Sequence, residues 1–269
     1  FDVVSFLLSA FAFGGITLGI GNIGTYSIGS IQVLPALLTG IVGFVLFAWR
    51  QFHEEQPFLD LRILREKEYT LSVIGSMLLY LVMMGSSIIM PLYVQTIMGY
   101  SATISGLVTL PGSLVMAVVS PFAGKIYDSL GMKKLFVAGA GLMLLSNLGM
   151  FLLTTDMSVW LASFYNAIRC AAIGCLMMPL VTWGISGIPE HKTADGTALL
   201  TSLRTIAGAI GSAVFVGIMT VVAENSAGTY GDRAQIHGLN MTFLAMSAAT
   251  FVLLLIAVFL VKTDKKKTR

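Results

Sequence analysis

Eight stretches of about twenty mainly apolar residues follow one another along this chain, each long enough to cross the hydrocarbon of a bilayer as a helix. They cover about 3–21, 31–49, 70–97, 103–123, 134–154, 158–183, 197–223 and 239–261. Short breaks such as Gly21-Asn22-Ile23-Gly24 and Gly99-Tyr100-Ser101 separate neighbours. Lipid offers the backbone no hydrogen-bond partners, so a spanning segment is either a helix or part of a closed barrel. Barrel strands are about half this length and alternate polar with apolar residues. The expectation is therefore an all-α membrane protein with eight transmembrane helices in an antiparallel bundle. Only 11% of the residues are charged, against about a quarter in a soluble domain, and 56% are hydrophobic, so too little polar surface remains for a water-soluble fold. The chain opens on Phe1, with no methionine and no basic stretch ahead of the first apolar run, which reads as a fragment or processed piece and not as a signal peptide.

The cations fall in alternate gaps. Arg50, Arg62, Arg65 and Lys67 occupy one, Lys125, Lys133 and Lys134 the next but one, and Lys192 a third. The tail adds Lys262, Lys265, Lys266, Lys267 and Arg269, whereas the opposite gaps hold only Arg233. By the positive-inside rule the crowded side is cytoplasmic, so both ends of this chain face the cytoplasm. This clustering expresses topology and excludes a nucleic-acid-binding face. Cys170 and Cys175 stand about 140° apart around a helix with no His or acid beside them, which suits packing and not a disulfide or a metal site. His53, His191 and His237 lie in gaps, and the Asn240-Met241-Thr242 sequon sits at the edge of a span, out of practical reach of glycosylation.

Two arginines remain inside spans. Arg204 is about seven residues from the cytoplasmic end of its run, within snorkelling distance of the interface, so an interfacial or coupling role is expected. Arg169, in NAIRCAAIGCLMMP, falls near the midplane, where insertion costs about 2.5–3.5 kcal/mol and a cation almost always faces a bundle interior or a water-filled cavity. None of the thirteen Asp and Glu residues lies inside an apolar run, so the chain supplies no intramembrane carboxylate for Arg169. On the same stripe of the sixth span stand Ser163 and Asn166, and this stripe is the expected polar wall of a pocket. The cation there could hold an anionic group, bind a carboxylate from elsewhere in one state only, or repel cations until a proton arrives.

The third span carries Ser72, Ser76 and Tyr80 on one face, with Gln95 farther along. The serines suit helix-to-helix hydrogen bonding, and Tyr80, near mid-span, suits either a cavity or packing. In AGAIGSA, Gly208, Gly211 and Ser212 give the small-residue spacing of a close helix contact. The fifteen methionines fit ordinary packing or an adaptable lining. No phosphate-binding loop, zinc motif or nucleophile elbow is present, so the sequence offers no enzyme chemistry, no cofactor and no bound metal.

The fourth span ends in SPFAGKIYDSLGMKKL, with Gly124, Asp128, Gly131, Lys133 and Lys134 in order. This resembles the G-x-L-x-D-R-x-G-R-[KR] gating loop of the major facilitator superfamily, with Ser129 and Met132 where that pattern has arginines. Gly124 and Gly131 are expected to allow a close helix approach and a tight turn, and Asp128 to cap the following helix. NAIRCAAIGCLMMP is similar to that superfamily's fourth-helix pattern. Ala194-Asp195-Gly196-Thr197 through SLRTIAGAIGSAVFVG resembles the fifth-helix segment of its fourteen-span drug:proton antiporters, and PFLDLRIL (57–64) resembles the link after their two extra central spans.

The resemblance covers essentially the whole chain and implies a division at 66. Residues 1–66 would be the two extra spans and their link, and 67–269 the C-terminal six-helix half with its short basic tail. The N-terminal six helices would be a missing partner. It further implies a rocker-switch exporter in the plasma (cell inner) membrane that moves amphipathic small molecules outward against protons, with the proton gradient as energy source. The third, fourth, sixth and seventh spans would line the cavity, and the fifth and eighth would face lipid. A lipid or glycolipid exporter of the same fold, or a non-transporting scaffold or sensor, are the alternatives.

Overall fold

The computed structural model describes residues 3–23, 30–53 and 61–262, so the first part of PFLDLRIL and the basic tail at Lys265, Lys266, Lys267 and Arg269 lie outside the described residues. Among those residues every regular element is helical. The long helices are α1 (Val3–Ile23), α2 (Leu34–His53), α3 (Lys67–Leu92), α4 (Ala102–Leu130), α5 (Met132–Phe151), α6 (Val159–Ser186), α7 (Thr193–Tyr230) and α8 (Ala234–Leu255). Two of them continue through a π-helical turn, α3 over Tyr93–Ile97 and α8 over Ile256–Leu260. Seven helices are long and apolar enough to cross a membrane, and the apolar part of α1, Val4–Ile20, is shorter. The helices carry large apolar side chains on their outer faces, including Val118 at 63% and Leu145 at 65% exposure, a surface that suits lipid and not water.

Helix ends follow local chemistry. The Ser101 hydroxyl accepts from the N–H of Ile104 at 3.4 Å and opens α4. Gly131, at φ +76°, is the one residue between α4 and α5, a conformation that a side chain would strain, and its N–H donates to the Tyr127 carbonyl at 2.8 Å. At 38 residues α7 is about 57 Å long, far beyond the ~30 Å of bilayer hydrocarbon. It outruns the expected 197–223 at both ends, and at the later end Glu224-Asn225-Ser226 interrupts the apolar run without breaking the helix.

Contacts divide the chain into two compact units, one of residues 1–84 with 181–214 and the other of residues 85–180 with 215–269. In the first, α1 and α2 form an antiparallel hairpin in which the backbones nearly touch. A Cβ on Gly15 would lie 2.7 Å from the Cα of Gly40, and one on Gly43 would lie 3.0 Å from the Ala12 nitrogen. Gln51 Nε2 and Arg50 Nε both donate to the buried Ser5 hydroxyl, at 2.9 and 3.1 Å, and fasten one end of the hairpin. Asn22 Nδ2, donating to the Gln32 carbonyl at 3.1 Å, fastens the other.

The rest of this unit is the start of α3, the end of α6 and the start of α7, built on Ile63, Tyr69, Val73, Ile188, Leu199 and Leu200. The buried Tyr69 hydroxyl donates to the Gly196 carbonyl at 2.7 Å, across the start of α3 and α7. Tyr69→Phe is expected to cost about 1 kcal/mol, the net worth of one such bond, read as a small drop in the midpoint of thermal unfolding of the purified protein.

In the second unit α5 and α6 run antiparallel. Gly139 faces Leu176, Gly149 faces the ring of Tyr165, and the Ser146 hydroxyl donates to the Tyr165 carbonyl at 2.6 Å. Asn147 Nδ2 donates to Thr250 Oγ1 at 2.9 Å and ties α5 to α8. Along α8, Leu239, Thr242, Phe243, Met246, Thr250 and Leu253 are buried while Leu244, Phe251, Val252 and Leu255 are exposed. So α8 is two-faced, with the ring of Phe243 on its inner side.

Candidate functional site around Arg169

The polar stripe of α6 is closed over by its neighbours. Ser163, Asn166 and Arg169 retain 4%, 5% and 1% of their surface, and Arg169 is among the largest fully buried side chains. The Ser163 hydroxyl donates to the Val108 carbonyl of α4 at 2.7 Å. One turn on, α4 presents Gly112, where a Cβ would stand 2.6 Å from Asn166 Nδ2 and 2.9 Å from Cys170 Sγ. Farther along, Gly174 of α6 lies against the Met116 carbonyl and the Ser120 hydroxyl, each 3.3 Å from a Cβ placed there. These pairings advance together along both helices, so α4 and α6 run parallel, and the small residues let α4 lie directly on the polar stripe.

Inside this seam the guanidinium has few partners. Arg169 Nη2 donates to Asn166 Oδ1 at 2.5 Å, and its Cζ lies 5.8 Å from the ring centroid of Phe243 on α8, within cation–π range. Nε and Nη1 are buried with no hydrogen-bond partner among the described residues. A guanidinium has five N–H donors, and a permanent charge out of water is stable only when most of them are satisfied. Here a buried cation has Asn166 and Phe243 as its partners, with most of its donors unused. Asn166 is held between Gly112 and Arg169 and orients the one bond that the guanidinium makes.

The remaining sequence-predicted residues fall elsewhere. In the first unit the Arg204 Cζ lies over the Tyr80 ring, 4.8 Å from the centroid. A Cβ on Gly208 would meet Met84 Cγ at 2.8 Å and Tyr80 Cδ1 at 3.7 Å, and one on Gly211 would run into the Leu81 carbonyl oxygen. The small residues of α7 therefore meet α3 directly, while Ser212 turns its hydroxyl back onto the Ala209 carbonyl at 2.8 Å. Gln95 is exposed within the π-helical turn of α3.

Two expectations for the loop after α4 are corrected. A Cβ on Gly124 would meet nothing within 4 Å, so the close approach on α4 is at Gly112 instead, where α6 passes. Asp128 lies in the last turn of α4, and α5 begins at Met132 with no side-chain cap, because the single-residue turn at Gly131 leaves Asp128 on the wrong side of the junction to reach the free N–H groups. Lys133 stands half-buried in the first turn of α5. Sequence reasoning missed Gly112 and Phe243. Gly112 follows Pro111 and reads as a breaker, and Phe243 is one apolar residue among many.

Residues 3–212 match the Major Facilitator Superfamily. The chain belongs to the major facilitator superfamily. It is 32% identical over 265 residues to the uncharacterized MFS-type transporter YcnB of Bacillus subtilis, covering 98% of this chain and 56% of that protein. It is 35% identical over 222 residues to the lincomycin resistance protein LmrB of the same organism, covering 81% of this chain and 46% of LmrB. The multidrug resistance protein Stp of Mycobacterium tuberculosis is 24% identical over 190 residues, 71% of this chain and 35% of Stp. This major facilitator chain thus spans about half the length of the curated relatives it matches. Its superfamily consists of multi-pass membrane transporters and not of enzymes. Its helices, buried arginine and exposed apolar faces fit that membership.

Proposed function

We infer that this chain forms part of a proton-coupled multidrug exporter that works by rocker-switch alternating access in the plasma membrane. Residues 1–66 supply two central spans and their link, and residues 67–269 supply six helices that act against an N-terminal six-helix half. Both ends of the chain face the cytoplasm, following the cation count of the gaps.

The observation that carries this reading is the enclosed Arg169. A buried cation with one hydrogen bond has a high free energy, and any state that opens the α4–α6 seam and gives its Nε and Nη1 a carboxylate, a substrate group or water lowers it. An element with two such states is what alternating access requires. Ser163 and Asn166 line the same seam and present their hydroxyl and amide to whatever enters. The acids within the described helices stand near helix ends: Glu68 in the first turn of α3, Asp128 in the last of α4, Asp195 in the first of α7 and Glu224 two turns before its end. The group that carries the proton is therefore assigned to the N-terminal half. Gly131 and Lys133 belong to the cytoplasmic gate and lie at the junction that must bend when the halves rock.

The test is accumulation of fluorescent amphiphiles in inverted membrane vesicles that hold the full-length protein, before and after the proton gradient is collapsed. Accumulation that disappears with the gradient is the expected result. Accumulation that persists would remove proton coupling, and no accumulation of any neutral or charged amphiphile would return the choice to lipid export or a scaffold.

A further inference from the structure

We propose that the Arg204–Tyr80 pair is a second binding site, distinct from the Arg169 seam, and that it takes the anionic group of an amphipathic molecule, a carboxylate or a phosphate, with the molecule's apolar part along α3. Three observations meet here. Arg204 is half-buried inside an apolar span, and among the described residues it makes no hydrogen bond and no ion pair; its one partner is the face of Tyr80. Tyr80 stands near the middle of α3 and its ring lies beside Gly208, so the close α3–α7 seam that Gly208 and Gly211 allow keeps ring and guanidinium together. Ser76, one turn before Tyr80 on the same stripe of α3, is 3% exposed and has a hydroxyl with no partner.

An aromatic face stabilises a cation but uses none of its N–H donors, so the guanidinium is held in place with its hydrogen-bonding capacity intact. That is the arrangement for gripping an anion with two parallel bonds. The nearest acids along these helices are Asp195, nine residues before Arg204, and Glu68, twelve before Tyr80, about 13 and 18 Å away along the axis. A cationic headgroup would meet repulsion that nothing here offsets, whereas an anionic one meets an unpaired cation in a medium of low dielectric. The ring and Met84 beside it offer apolar surface to the rest of the ligand.

The assignment concerns binding and stands apart from proton-driven export, so it is tested without a gradient. The full-length protein, purified in nanodiscs of neutral lipid, is titrated with dansylaminoundecanoic acid and with its methyl ester, two probes that differ by one charge. The expected result is at least tenfold tighter binding of the acid, lost in Arg204→Gln and partly kept in Arg204→Lys, with the ester unchanged in all three. Unchanged ester binding also shows that the variants are folded. Equal affinity for acid and ester in the unmodified protein, or a preference for the acid that survives Arg204→Gln, overturns the proposal. Nanodiscs containing an anionic phospholipid then separate the sources. Competition with the acid supports a lipid headgroup as the occupant, and its absence supports a soluble amphiphile; both support the anion site. If export fails its own test while the acid preference holds, the transport reading falls and this site stands.

Discussion

Arg169→Met is expected to abolish gradient-driven transport, by 100-fold or more, while leaving the thermal stability of the protein equal to or higher than that of the unmodified form. The two halves of this expectation come from the same geometry. Replacing a buried charge by an apolar side chain of similar length is often neutral, or stabilising by ~1–4 kcal/mol, because the desolvation cost of the ion disappears. Arg169 makes the case a strong one, since Nε and Nη1 have no partner to lose. The substitution does leave Asn166 Oδ1 with only the weak Cys170 S–H donor at 3.9 Å, and losing the guanidinium bond costs about 1–3 kcal/mol. Arg169→Met combined with Asn166→Leu removes that cost and should be the more stable variant, equally inactive. Thermal unfolding of the purified protein and vesicle uptake measure the two quantities separately. A variant that transports normally would sink the site assignment, and one that unfolds much earlier would make Arg169 a structural residue.

Gly211→Val is expected to be the most damaging small substitution among those considered, with little folded protein recovered from the membrane. The added Cβ would overlap the Leu81 carbonyl oxygen of α3, and neither backbone can move without opening the whole α3–α7 seam. Overpacking of a core typically costs ~1–3 kcal/mol, and the upper end or beyond applies when the obstructing atom is backbone. Two controls mark the mechanism. Gly208→Ala meets the flexible Met84 side chain, which can turn aside, so a modest loss is expected. Gly217→Ala meets nothing within 4 Å and gains helix propensity, so it should be neutral or stabilising by up to ~1 kcal/mol. Yield and monodispersity after detergent extraction rank the three variants.

The helices were legible because hydropathy decides them. The predicted spans and the observed helices agree in order and nearly in position, but seven of the eight, not α1, are long and apolar enough to cross a membrane, and the extra length of α7 arose where polar residues continue a helix that apolar content alone would end. The burial of Arg169 could also be anticipated, since a mid-span cation with no nearby acid must be enclosed by something. The identity of its neighbours could not. Gly112 and Phe243 matter through where α4 and α8 pass, which is a property of packing and not of their own segments. The hairpin contact of Gly15 with Gly40 escaped notice for the same reason, as glycine is abundant in these helices and only a few of its positions face another backbone. Gln95 lies within the wider turn at Tyr93–Ile97, a local geometry that hydropathy does not reveal.

That turn has a consequence for how the sequence of this segment can vary. A π-helical turn holds one more residue than the α-helical ladder needs, so α3 carries a spare unit between Pro91 and Gly99. Deleting a single residue there would tighten the turn to an ordinary one, leave α3 before it unchanged and re-aim the short stretch that leads into the Gly99 turn. This stretch of α3 is thus a tolerated point for length change inside an otherwise length-intolerant span, and a route by which such a helix could redirect its outer end without altering the membrane-embedded part below it.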